Sequence, residues 1–346
     1  MDVTADDPTA DWTSPGVFEV VPGIHRIPLP LPNDGLRAVN VYAIAAGDRL
    51  VMIDSGWAIE AAREQLAAAL AALGAGFGDV ERFLVTHVHL DHYTQAVALR
   101  REFGMPIALG KNEQPTLNVI SRDRTDESGS PFEERLRAAG AESLLARLAA
   151  AGRRPVDPSI WEMPDDWLTD RDNLQVGDRQ LEAIATPGHT RGHLVFRDDA
   201  ASLLFAGDHV LPHITPSIGF EGAPVDFPLR DYLDSLRLVR ALPDTRLLPA
   251  HGPVAGSTHA RVDALLEHHD HRLEIIYGMV ERGATTANEA AGLMTWTRRE
   301  RTLAELGLFN EMLAVLETMS HLDVLVLQGR LVVTVVDGTK RYAVAA

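Results

Sequence analysis

The stretch FLVTHVHLDH, residues 83–92, places His87, His89, Asp91 and His92 within six residues, directly after an apolar run. Imidazole nitrogen and carboxylate oxygen are donors that zinc accepts at about 2.0–2.2 Å. Residues i and i+2 of an extended chain project to one side, so His87 and His89 can grip one ion. Asp91 and His92 come after the chain turns into a helix, and they point to a second position nearby. Three more donors come later: His189 after LEAIATPG, Asp208 after SLLFAG and His251 after RLLPA. Each lies just past the carboxyl end of a short apolar run, the end where layered α/β structures bind ligands. One histidine after a strand signals little. Four strands that deliver His or Asp to the same end signal a metal site, and the clustered donors suit two ions better than one. A carboxylate such as Asp208 can bridge two ions ~3.5–4 Å apart that hold a water between them.

The elements that must position these residues are readable from periodicity. VFEVVPGIHRIPLPLP and NVYAIAAGDRLVMIDSG alternate apolar and polar residues between Gly, Pro and Asp breaks, the pattern of strands and hairpins. AIEAAREQLAAALAALG has helical spacing and ends at Gly74. RFLVTH is a short buried strand, HYTQAVALRREFG a helix and PIALG a strand. Strands return with RQLEAIATPGH, HLVFRDD, SLLFAGDHV and TRLLPAHGP, with the helix PLRDYLDSLRLVRALP before the last of them. Many strands are neighbours in sequence. That predicts a mixed pair of sheets with helices outside rather than one doubly wound parallel sheet.

Length and composition bound the partners. A chain of 346 residues with 46% hydrophobic content accommodates one large domain and a small one. The net charge of −17 repels phosphate backbones and anionic membranes. With no cysteine, disulfides and thiolate metal sites are excluded. Residues 1–16 are acidic, lack the features of a signal peptide and read as a disordered tail. No apolar run reaches the ~20 residues of a membrane span, so the expected location is cytoplasmic. Residues 17–258 read as the catalytic domain, with an insertion at about 111–168 that holds loops and two helices and covers a site. Residues 259–346 read as three helices and a hairpin around Asp337-Gly338, a winged-helix-like domain.

The motif THVHLDH resembles the T-H-x-H-x-D-H signature of the metallo-β-lactamase superfamily. The later PGHTRGH, AGDHV and PAHGP resemble its further ligand motifs in the right order. The resemblance covers roughly residues 18–258 and implies an α+β class, with an αββα sandwich and a dinuclear site at the edge of the two sheets. It implies His87, His89 and His189 around the first metal, Asp91, His92 and His251 around the second, and Asp208 as bridge. The cofactors implied are two divalent ions, Zn2+ first, with Mn2+ or Fe2+ as alternatives. DHYTQA, GDHVLPHITPSIG and the C-terminal domain together resemble the lactamase-beta-like-2 and hydroxyacylglutathione hydrolase-like group. One departure weakens the simple glyoxalase reading: many relatives carry a glycine pair after D-H, and here Tyr93, Thr94 and Gln95 follow.

The expected chemistry is hydrolysis by a metal-bridging hydroxide, since metal coordination lowers the pKa of water to about 7. Asp91 is the expected catalytic residue, able to ligate and to accept the water's proton. No dedicated acid for the leaving group is apparent. A thiolate, whose acid has a pKa of about 8.5, leaves without one. The expected substrate is therefore an ester or thioester of a small to medium acyl group. Asp54 is expected to brace the site rather than ligate. His193 is a weaker alternative to His189. His209, His213 and Tyr93 could border substrate or simply pack. EHHDH, residues 267–271, reads as a solvated helix face, and TRRER, residues 297–301, as a solvated loop. Residues 259–346 hold 9 Lys or Arg against 12 Asp or Glu, and the third helix there has no basic residue. That counts against a winged-helix regulator of DNA and suggests packing on the catalytic domain or a homodimer contact. The other competitors are a metal-dependent endoribonuclease, disfavoured by charge, and a mononuclear iron sulfur dioxygenase, disfavoured by the complete ligand set.

Overall fold

A computed structural model describes residues 2–32, 35–121, 131–152, 158–223, 225–297 and 299–346. The first sheet has eight strands in chain order: β1 (Val3–Ala5), β2 (Val17–Val21), β3 (Ile24–Pro30), β4 (Ala38–Ala46), β5 (Arg49–Ile53), β6 (Val80–Val85), β7 (Ile107–Gly110) and β8 (Asp166–Leu168). Its middle is antiparallel, from β2 to β5, and β5 to β8 run parallel. The second sheet has the order β13-β12-β11-β10-β9, from β9 (Asn173–Val176), β10 (Arg179–Ala185), β11 (Leu194–Asp198), β12 (Leu203–Gly207) and β13 (Arg246–Pro249). Only β12 and β13 pair in parallel there.

Alternation along the strands builds four layers. Val51, Ile53, Leu84 and Ala108 of the first sheet share an apolar core with Leu181, Phe196, Leu203 and Phe205 of the second. The neighbouring Met52, Phe83, Val85 and Ile107 point the other way, to helices α1 (Glu60–Ala72), α2 (Leu90–Phe103) and α3 (Gln114–Ile120). Leu204, Ala206 and Leu247 turn outward from the second sheet to α4 (Pro131–Ala138), α5 (Glu142–Ala151), α6 (Pro228–Ala241), α7 (Thr258–Glu281), α8 (Ala287–Gly292) and α9 (Leu308–Leu327). The fold is thus a mixed α+β sandwich of two sheets between helices. The chain ends in a ribbon of β14 (Leu331–Val336) and β15 (Thr339–Val344), turned at Asp337 (φ 50°) and Gly338 (φ 81°). Side chains of α7 and α9, including Ile276, Val315 and Leu322, belong to the same core as the outer face of the second sheet.

Two expectations need correction. The expected tail, residues 1–16, is not free over its described residues 2–16: β1 pairs in parallel with β2, and Asp6 accepts from Arg26 Nε at 2.8 Å, both side chains almost fully buried. Arg26 also donates to the Asn40 side chain at 3.0 Å. The stretch 111–168 holds three described helices, α3 to α5, rather than two, and its last residues form β8 at the sheet edge. Residues 122–130 and 153–157 of that stretch, and Arg298 of the TRRER run, lie outside the described residues. Among the described residues no helix is long and apolar enough to cross a membrane.

Removing the partner of a buried charge costs roughly 3–5 kcal/mol. Asp6→Ala should therefore lower unfolding stability by about that amount, read from the denaturant midpoint. An unchanged midpoint would show that the first strand does not hold Arg26.

Candidate metal centre

Strand β6 ends at Val85, the chain bends at Thr86, and His89, the N-cap of α2, has extended backbone (φ −82°, ψ 159°). Asp91 and His92 fall in the first helical turn. The structure gathers all seven expected donors into two groups. His87, His89, His189 and Asp208 form one, and Asp91, His92 and His251 the other, each with donor atoms within 4.8 Å of one another. His89 Nδ1 lies 3.0 Å from both His87 Nε2 and His189 Nε2. Asp208 faces both groups: Oδ2 is 3.4 Å from His189 Nε2, and Oδ1 is 3.4 Å from His251 Nε2 and 3.7 Å from His92 Nε2. Gly207 precedes it in a left-handed conformation (φ 49°), where a Cβ would stand 2.7 Å from Thr86.

Four rings are fixed from behind. His92 Nδ1 meets Asp54 Oδ2 at 2.9 Å, His87 Nδ1 meets Thr86 Oγ1 at 3.0 Å, and His189 Nδ1 and His251 Nδ1 donate to the carbonyls of Ser217 and Ala38, each at 2.8 Å. Each of these four Nε2 atoms is thereby turned toward the cluster. Outer partners of this kind fix ring orientation in metal sites. Asp54 is the hub, left-handed at φ 58° and accepting from the Thr86 amide at 2.8 Å and from its hydroxyl at 3.0 Å. It braces and does not join either group.

The donor set fits divalent cations. His92 Nε2, His251 Nε2 and Asp208 Oδ1 are buried without a hydrogen-bond partner among the described residues, an arrangement that costs free energy unless a cation satisfies it. Burial holds the His89 and His189 imidazoliums down, to about 3 and about 4, so both rings are neutral and able to ligate. Burial also opposes charge on His92, but the carboxylates of Asp91, Asp54 and Asp208 outweigh it and raise this ring to about 10. Burial would raise the Asp91 carboxyl. The facing His92 and His251 overcome that and hold it well below the ordinary range.

Other expected residues stand apart. His193 accepts from the Asp208 amide at 3.2 Å and shares a hydrogen bond with Thr186 at 2.9 Å, so it supports Asp208. Tyr93 donates to the Glu162 carbonyl at 2.6 Å, which settles it as helix packing. His209 is buried beside Tyr232, and His213 is exposed. In EHHDH, His268 and His271 are exposed as expected, while His269 is buried against His321, with ring nitrogens 3.1 Å apart. Sequence reasoning missed Glu113. It is fully buried after β7, accepts from the Thr190 hydroxyl beside His189 and receives the Val88 amide between His87 and His89. Burial first, and then Glu221, push its carboxyl up to about 8. Nothing in a short loop KNEQ marks such a residue in advance.

Metals take the neutral imidazole, so binding releases any proton already there. His92 holds its proton below about pH 10. Zinc uptake by the metal-free chain at neutral pH should release protons, and apparent affinity should rise with pH toward that value. Calorimetry in buffers of different ionisation enthalpy should give different heats; equal heats would contradict the assignment. Asp54→Ala, which frees the His92 ring, should weaken metal binding about 10–100-fold.

Comparison with known proteins agrees with this geometry. A solved beta-lactamase domain protein from Burkholderia ambifaria superposes with a TM-score of 0.76 at 26% identity, over 98% of this chain and 99% of that one. A beta-lactamase-like protein 2 homolog of Caenorhabditis elegans is 26% identical over 67% of this chain, and the match spans only 62% of that relative's length. An atrochrysone carboxyl ACP thioesterase of Aspergillus fumigatus is 26% identical over 84% of this chain and 74% of its own. The family model described as the metallo-beta-lactamase superfamily matches residues 34–251, well over half of the sequence, and the chain belongs to that superfamily.

Proposed function

We propose that the chain is a two-metal hydrolase of an ester or thioester with a small to medium acyl group. One observation carries the reading: Asp208 of the first donor group also faces His251 and His92 of the second, and its Oδ1 and the Nε2 atoms of those two rings are buried without a hydrogen-bond partner among the described residues. His87, His89 and His189 would hold one ion, Asp91, His92 and His251 the other, with Asp208 between. Two ions there supply a water of lowered pKa and an electrophile for the substrate oxygen. A single-ion dioxygenase would leave the second group without a role.

The residues of the chain do the rest. Asp91 is the more open of the two cluster carboxylates, its side chain 19% exposed against 10% for Asp208, and it accepts the proton of the attacking water. Asp54 and Thr86 keep His92 and His87 facing inward. Tyr93 is occupied by Glu162, so it does not protonate a leaving group. A leaving thiolate needs no such donor, with a parent pKa of about 8.5; an alkoxide needs more help. The thioesterase named among the relatives supports the same preference. The net charge of −17 disfavours a polyanionic RNA substrate. The winged-helix-like order of the last three helices and ribbon fits a part that packs on the catalytic sheets, and α9 carries no basic residue for reading DNA.

Metal analysis together with a hydrolysis screen of thioesters, lactones and single-stranded RNA tests this. Two ions per chain and thioester cleavage are expected, with activity falling to background in His89→Ala and Asp208→Ala. RNA cleavage without thioesterase activity would overturn the substrate assignment. Retained activity in either variant would overturn the site.

A further inference from the structure

Three phenylalanines from distant parts of the chain meet beside the ligand cluster. Phe220, in the loop after β12, has its ring centroid 6.2 Å from that of His89. Phe132 of α4 stacks on it at 4.7 Å with planes 9° apart. Phe309, in the first turn of α9, meets it edge-on at 5.3 Å and 85°. The cluster reaches the surface: Phe132 and Phe220 are partly buried, and Phe309 stays 54% exposed.

The loop that carries Phe220 is anchored on both sides. Ser217 fixes the His189 ring through its carbonyl. Glu221 accepts from Arg191 and Thr116, each at 2.9 Å. The ring is therefore held in place before any ligand arrives, and pre-organised aromatic surface binds at low entropic cost. The same loop sets a ligand histidine and the aromatic wall, so the wall is continuous with the reacting centre.

We infer that Phe132, Phe220 and Phe309 form the acyl-binding wall of the site and select an aromatic acyl group. This rests on the ester or thioester reading above. Rings prefer offset and edge-on partners, and each such contact adds about 0.5–1.5 kcal/mol beyond area burial. An aromatic acyl group whose carbonyl lies at His89 meets Phe220 next and Phe309 beyond it. A nucleobase could stack on the same rings, but it would bring phosphates toward Asp91 and a chain of net charge −17.

The test uses the zinc-loaded full chain with benzoyl and acetyl thioesters of N-acetylcysteamine. The wild type should favour benzoyl in kcat/KM. Phe309→Ala should lower the benzoyl-to-acetyl ratio about two- to tenfold, while Phe103→Ala, at the far end of α2, should leave the ratio as in wild type. Thermal melts check that both variants fold. No wild-type preference, or a ratio unchanged in Phe309→Ala, overturns the proposal. If neither thioester is cleaved, the thioester part of the hydrolase reading fails, and benzoate binding by calorimetry decides the wall on its own. Weaker binding in Phe309→Ala sustains it; equal binding or none overturns it. Competition by a short single-stranded RNA that depends on Phe309 would assign the wall to nucleobases instead and overturn it.

Discussion

Five imidazoles and two carboxylates converge in one mostly buried space, and they cannot satisfy one another without positive charge between them. His89 Nδ1 lies 3.0 Å from two ring nitrogens, those of His87 and His189, and a single proton on it can serve only one of them. Such a set is stable only if the surrounding structure prevents the rings from turning away. That requirement explains the position of much else. Asp54 accepts a strained backbone to reach Thr86 and His92 together. The Ala38 carbonyl at the start of β4 and the Ser217 carbonyl in a distant loop each stop one ring from rotating. The first sheet supplies some of these supports and the second sheet others, so the two must meet at one edge.

The two donor groups differ in charge. The first has three imidazoles whose protonation burial opposes, and Asp208 as its one carboxylate. The second adds the ionised Asp91, and its histidines are pulled toward the protonated form by the carboxylates around them. Without an ion, a proton on His92 plays the part of the missing cation. The electrostatics of the second group therefore hold positive charge in place under either condition, which keeps Asp208 and Asp91 compatible with burial.

The clustering of these residues was legible because they follow strands, and strand ends are short apolar runs that periodicity exposes. The split between extended and helical backbone at His89 was legible for the same reason. The supports were not. Two are backbone carbonyls, which no residue type announces. Glu113 looks like an ordinary loop acid and becomes fully buried only because the loops of His189 and His87 close over it. The first strand was misread because its three residues are all exposed and carry no alternation. What orders it is Arg26, twenty positions away. β8 has three residues and lies at the edge after a helical excursion, so its pattern is too short to separate from a loop. The Asp337-Gly338 turn was legible, since both positions need left-handed backbone that such residues adopt readily.

Asn40 donates to the carbonyls of Pro249 and Gly252, and Tyr42 donates to that of Pro249. The last ligand, His251, is thus seated on one of the earliest strands. A chain emerging from the ribosome presents His87, His89, Asp91 and His92 long before His189, Asp208 and His251 exist. Until residue 252 is free, β4 has no loop to hold, and the early histidines can offer an ion only part of its shell. A site that uses all seven donors is therefore complete only when the sandwich is complete.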